Sequence, residues 1–111
     1  MGVNARGRRG DVFLVDIAGA RGREVRKTRP WVIVSPDPVN VRLRTYVVVP
    51  LTTGAHGYAF RVPCRFAGRD GHIVVDQPRA VDESRMIKRL GAVTGPTLSR
   101  TLATLREMFA D

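Results

Sequence analysis

The strongest constraint in this chain is a polar, basic segment that turns without transition into an apolar run. Glu24-Val25-Arg26-Lys27-Thr28-Arg29 is followed directly by Pro30-Trp31-Val32-Ile33-Val34-Ser35. Pro30 has no N–H and biases Arg29 toward extended geometry, so the loop feeds straight into a strand. Trp31 to Val34 has the length and β-branched content of a strand buried on both faces. Arg29 is therefore expected at the rim of a rigid core strand. A planar, permanently charged donor held in one place is what phosphate recognition requires. The competing reading of this stretch alone is an ordinary solvated arginine beside a strand.

The chain has 111 residues and a formal net charge of +9. That length supports one domain with a single modest core. That charge favours a polyanionic partner, with nucleic acid ahead of acidic protein and membrane surface. Cys64 is the only cysteine, so there is no intrachain disulfide and no cysteine-based metal cluster. His56 and His72 are too few and too far apart in sequence for a zinc site, so no metal and no cofactor are expected. No apolar run approaches a membrane span, and the N-terminal residues do not resemble a signal peptide. A cytoplasmic location is expected.

Residues 1–10 are rich in Gly and Arg and are expected to form a flexible basic tail, leaving 11–111 as a single domain. Asp11 to Ile17 reads as the first strand, with apolar residues on both faces. Ala18 to Thr28 is a long loop of the kind that is usually functional or mobile. Pro36-Asp37-Pro38 ends the second strand, and a short basic link leads to a third at Thr45 to Leu51. Ala59 to Cys64 and His72 to Val75 are expected as strands, joined by a tight turn at Asp70-Gly71. A last strand is expected between Met86 and Val93. Thr94-Gly95-Pro96 opens a helix, with Leu98, Leu102, Leu105 and Phe109 on one core-facing stripe. Five or six short, mostly antiparallel strands and one terminal helix fit a small, strongly bent sheet or barrel.

Two strand ends carry suggestive chemistry, Arg29 entering the second strand and Thr52 leaving the third. Antiparallel neighbours would bring guanidinium and hydroxyl to one rim. Taken in order, several short motifs resemble the MazF/PemK-type mRNA interferase toxins. They are Arg9-Gly10-Asp11-Val12, Arg29-Pro30, Ser35-Pro36, Val49-Pro50-Leu51-Thr52-Thr53, Gly57-Tyr58, Asp76-Gln77 and Lys88-Arg89-Leu90-Gly91. The resemblance implies an SH3-like antiparallel β-barrel with a C-terminal α-helix, acting as a homodimer. It further implies a sequence-specific, metal-independent endoribonuclease that cleaves single-stranded RNA and is neutralised by a cognate acidic antitoxin. The family's catalytic arginine and threonine fall on Arg29 and Thr52, and its upstream glutamate on Glu24. Expected RNA contacts are Thr28, Thr53, His56 and Tyr58 in the loops, with Asp76, Gln77 and Arg79 after a later strand. One branch of the family places an arginine two residues before the aspartate and a histidine in the first loop. This chain has Val74 and Arg23 there, so that branch's acid–base scheme does not transfer.

The residue types argue the same chemistry. Arg29 stays protonated and suits the bracing of non-bridging phosphate oxygens as charge develops. Thr52 suits a hydrogen bond to the same phosphate, its hydroxyl being too weak an acid to serve alone as general acid. His56 has the best intrinsic pKa for a base, yet is read as an RNA contact, and the base stays unassigned. The alternative is a non-catalytic toxin on the same fold that inserts its C-terminal helix into a protein such as DNA gyrase. A helix whose apolar stripe is used in its own core, together with the Arg29/Thr52 pair, favours the ribonuclease. A generic RNA-binding module is weaker still, because aromatics for stacking are scarce.

Overall fold

The computed structural model describes residues 6–17, 29–53 and 59–111. Strands β1 (Asp11–Val15), β2 (Arg29–Ile33) and β3 (Thr45–Thr53) carry the β-branched runs and lie side by side, antiparallel. Phe13 faces Trp31 across the first ladder, and Trp31 faces Pro50 across the second. Alternation then divides the runs between two cores. Val12, Val32, Val34, Val49 and Leu51 join Val62, Ile73 and Val75 on one side, while Phe13, Val15, Trp31, Ile33, Tyr46 and Val48 join Val81 and Met86 on the other. Burial on both faces is why these strands show no polar alternation.

The remaining strands are β4 (Arg61–Phe66), β5 (Arg69–Val74), β6 (Arg79–Asp82) and β7 (Met86–Ala92). They extend one antiparallel sheet in the order β4-β5-β3-β2-β1-β7, with β6 also paired to β3. Opposite β2, the other edge of β3 is shared, β6 taking Thr45 to Val48 and β5 taking Leu51 to Thr53. The sheet is not closed by a ladder between its end strands. The Phe66 ring of β4 instead lies over Gly91 of β7, where an added Cβ would meet it at 3.1 Å. Helix α2 (Gly95–Met108) covers the first core with Leu102, Leu105 and Met108. Its first turn is capped by Thr94, whose hydroxyl accepts from the Thr97 N–H at 3.3 Å.

Several sequence expectations are corrected. Pro36-Asp37-Pro38 does not lead into a plain link but opens a short helix, α1 (Asp37–Leu43). Proline in the first turn lacks a donor the helix could not have used, and Asp37 suits the N-terminal dipole. Asn40 is fully buried there and locks the helix to the strand: its Nδ2 donates to the Ser35 carbonyl at 3.1 Å and its Oδ1 accepts from Ser35 Oγ. The turn between β4 and β5 falls at Ala67-Gly68, both at positive φ (52° and 78°), not at Asp70-Gly71. Strand β6 was not foreseen, because Val81 is its only buried residue. Phe109 lies off the apolar stripe, 74% exposed, and Met108 packs in its place.

Arg6 to Gly10, expected as part of a loose tail, is packed against the sheet. Gly7 is buried with Phe13 and Ile33 where its Cβ would be, and its N–H donates to the Tyr46 hydroxyl at 3.2 Å. The Gly10 N–H donates to the Ile33 carbonyl at 2.8 Å, and Arg9 Nε to the Val34 carbonyl at 2.8 Å. Among the described residues no helix is long and apolar enough to cross a membrane.

Candidate active site

Continuing the β2–β3 register, Trp31 against Pro50, by two residues sets Arg29 opposite Thr52. Arg29 opens β2, paired with Val15 of β1 and exposed, and Pro30 follows it facing Leu14. Thr52 is half-buried beside it. Both line one concavity of about 500 Å³, floored by Pro30 and Leu51 and walled by Thr53, Phe66, Ala67, Arg69, Asp70, Gly71 and Leu90. The wall opposite β2 is the β4–β5 hairpin. Gly71 is obligatory there, because any Cβ would run into the Thr52 carbonyl oxygen. Glycine thus lets β5 close on β3 at the level of the Thr52 hydroxyl.

Charge in this concavity is mostly positive. The one carboxylate on its wall, Asp70, accepts from Arg65 Nη1 at 2.9 Å across the hairpin, in a pair that is exposed on both sides. No partner is found for Arg29 or Arg69 among the described residues. Two guanidinium groups, a hydroxyl and an apolar floor suit an anionic ligand with an apolar body, such as a nucleotide. Among the described residues no group of three or more His, Cys, Asp or Glu is placed to hold a metal ion.

The structure brings together only some of the expected residues. Arg29, Thr52 and Thr53 share the concavity. Asp76, Gln77 and Arg79 lie farther along the sheet: Arg79 faces Val48, four residues from Thr52 on β3 or roughly 13 Å at strand spacing. Asp76 is paired with Arg61 at 3.6 Å, and the Gln77 N–H closes a turn on the Val74 carbonyl at 3.3 Å. Arg79 borders a separate recess of about 190 Å³ with Ile17, Val81 and Arg85. Glu24, Thr28, His56 and Tyr58 lie outside the described residues. Arg69 and Phe66 were not anticipated. Their signal in the sequence is the β4–β5 hairpin, whose turn lies at Ala67-Gly68, three residues before the Asp70-Gly71 pair.

A profile of the PemK-like, MazF-like toxin of type II toxin–antitoxin systems matches residues 8–109. The chain is 34% identical over 103 residues to the endoribonuclease PemK of Escherichia coli, covering 87% of this chain and 77% of that protein. The fold is similar to that of MazF from Deinococcus radiodurans, with a TM-score of 0.76 at 24% identity over 92% of this chain and 94% of the other. It is equally similar, at a TM-score of 0.77 and 24% identity over 91% and 92% of the two chains, to an endoribonuclease solved with its cognate antitoxin from a mycobacterial species. With a profile spanning nearly every described element and a relative above 30% identity along most of its length, the chain belongs to the PemK-like, MazF-like family of type II toxins.

Proposed function

We propose that this chain is the toxin of a toxin–antitoxin pair and an endoribonuclease that cuts single-stranded RNA at the Arg29/Thr52 site. The observation that carries this reading is that Arg29, at the start of β2, and Thr52, near the end of its antiparallel neighbour β3, line one concavity together with a second arginine. The relative's activity as an endoribonuclease supports the reaction class.

Cleavage proceeds by attack of the neighbouring 2′ oxygen on phosphorus. The bond from phosphorus to the 5′ oxygen breaks, leaving a 2′,3′-cyclic phosphate and a 5′-hydroxyl. The 2′ proton passes to a base and the leaving oxygen gains one. Arg29 braces the non-bridging oxygens as charge grows on them, and the Thr52 hydroxyl holds the same phosphate in line. In-line geometry requires an unstacked nucleotide, which restricts the substrate to unpaired RNA. Glu24 is the residue assigned to orient Arg29. Thr28, Thr53, His56 and Tyr58 are assigned to bases near the cut, and Asp76, Gln77 and Arg79 to RNA farther along. The protein acts in the cytoplasm as a homodimer, and a cognate acidic antitoxin restrains it.

The test is incubation of purified protein with unpaired RNA in EDTA, followed by analysis of product ends. Products ending in 2′,3′-cyclic phosphate and 5′-hydroxyl are expected, and none from a substrate carrying 2′-deoxyribose at the scissile site. Full activity on that deoxy substrate, or its loss in EDTA alone, overturns the mechanism.

A further inference from the structure

We infer that Arg69 is a second phosphate-binding residue of this site, gripping the phosphate next to the scissile one and so fixing the RNA backbone on both sides of the cut. The inference rests on the ribonuclease reading above and adds a residue that neither the motifs nor the comparisons assign.

Three observations carry it. The first is position. Arg29, Thr52 and Arg69 stand on three successive strands, β2, β3 and β5, and all line the same concavity. In the β3–β5 ladder Thr53 faces Gly71, and Arg69 is two residues beyond on the same face of β5. Strand geometry then sets the Arg69 Cα roughly 14 Å from that of Arg29, two strands across and about three residues along. By strand alternation Arg29 and Thr52 stand on one face of the sheet and Arg69 on the other, and all three meet at the rim of the same concavity, a spacing that suits neighbouring phosphates of one backbone.

The second is charge. Asp70, the nearest carboxylate, is taken by Arg65 at 2.9 Å on the other side of the hairpin, so it does not neutralise Arg69. Arg65 alternates with Phe66 on β4 and is not part of the concavity's wall.

The third is rigidity. The hairpin is closed by a two-residue turn at positive φ, and its ladder runs unbroken from Phe66–Arg69 to Arg61–Val74. Gly71 presses the β5 backbone against the Thr52 carbonyl. The base of Arg69 is therefore fixed relative to the catalytic threonine, and only its side chain has to be ordered by substrate. Phe66 faces Arg69 across the ladder and offers an apolar wall to the intervening nucleotide.

The experiment pairs protein variants with modified RNA. Wild type and Arg69→Ala are assayed on a short substrate with one neutral methylphosphonate at each phosphate flanking the cut, in turn. Wild type is expected to lose about tenfold or more in kcat/KM at one flanking position, mostly through KM. Arg69→Ala should show a similar loss on unmodified RNA and no further loss at that position, with normal sensitivity at the other. Arg69→Lys should recover part of the affinity, because a point charge still reaches a phosphate. Additive losses at every position, or wild-type cleavage by Arg69→Ala, overturn the inference. Failure of wild type to cleave unmodified RNA in EDTA would instead overturn the ribonuclease reading, so the two failures are distinct. Circular dichroism and thermal melting of each variant identify any loss that comes from misfolding.

Discussion

At the scale of single residues, the candidate site makes an asymmetric demand on the chain. Arg29 and Thr52 lie at strand ends, outside both buried clusters, so truncating them removes chemistry and not packing. Arg29→Ala and Thr52→Ala should each lower cleavage, the arginine by on the order of a hundred- to a thousandfold, with melting temperatures near wild type. Arg29→Lys should recover little, lacking the planar fork. Cleavage at the wild-type rate by Arg29→Ala would show that the site lies elsewhere. Cys64 makes the opposite case. It is half-buried against the α2 core, and burial pushes its thiol pKa above the ordinary 9.0. Less thiolate at neutral pH means slow reaction with electrophiles. Alkylation by iodoacetamide near pH 8 should run slower than on a free cysteine peptide, and Cys64→Ser should retain cleavage. The placement of Arg29 and Thr52 toward neighbouring strand ends was legible in the sequence because composition changes abruptly there. The position of Arg69 beside them was not, since it depends on a third strand whose register no local pattern records. The same gap hid the separation of Asp76, Gln77 and Arg79 from the Arg29/Thr52 pair.

At the scale of elements, the two-faced burial of β2 and β3 follows from their continuous β-branched runs. Helix α1 and strand β6 escaped notice for physical reasons, one opening on a proline pair that also signals a break, the other nearly devoid of apolar residues. The N-terminal arm escaped because its ordering rests on backbone groups and glycines. Gly7 and Gly10 hydrogen-bond to residues far along the chain, and Tyr46 is the post that holds Gly7. The Tyr46 hydroxyl also faces Glu83 Oε2 at 3.3 Å, and Glu83 is fixed in turn by Arg44 at 2.7 Å. Burial raises the Tyr46 pKa above 10.0, with Glu83 adding to the rise and the Gly7 and Arg6 N–H groups opposing it. A raised value means that the folded protein holds this proton more tightly than the unfolded chain. Its contribution to stability is complete below pH 10.0 and is lost as pH rises through the folded value. The melting-temperature difference between wild type and Tyr46→Phe should therefore shrink from about pH 8 to about pH 11. A constant difference would mean that the hydroxyl does not titrate with the fold. Asp82 acts at the other end. The Ser84 hydrogen bonds lower its pKa below 3.8, so its contribution is present above that value and fades as pH falls through the folded one.

For the molecule as a whole, charge and leftover apolar surface point to two binding events on one dimer. Leu43, Ile87, Val41 and Leu90 remain 61%, 45%, 43% and 40% exposed, and Phe109 is more exposed still. Helix α2 and the short α1 do not cover a sheet that is apolar on both sides, and a two-fold interface is the commonest way to cover what remains. Sedimentation at micromolar concentration should give a dimer, and a monomer there would contradict the assembly. The chain carries a formal charge of +9, with Arg29 and Arg69 lining the concavity and Arg42 and Arg79 exposed outside it. On the reading proposed above, RNA would meet these arginines through its phosphates. On the same reading, a disordered acidic antitoxin segment would offer carboxylates to the same guanidiniums and apolar anchors to Leu51 and Phe66. RNA binding should fall more steeply with salt, because it releases counterions condensed on a polyanion, whereas apolar anchoring is far less sensitive to salt. Raising the salt should therefore shift competition in favour of the antitoxin peptide. The measurement is fluorescence anisotropy of labelled RNA on an Arg29→Ala dimer, titrated with cognate antitoxin peptide at low and high salt. Less peptide should be needed to displace RNA at high salt. Simultaneous binding of both ligands at full occupancy, with RNA affinity unchanged, would rule out a common surface.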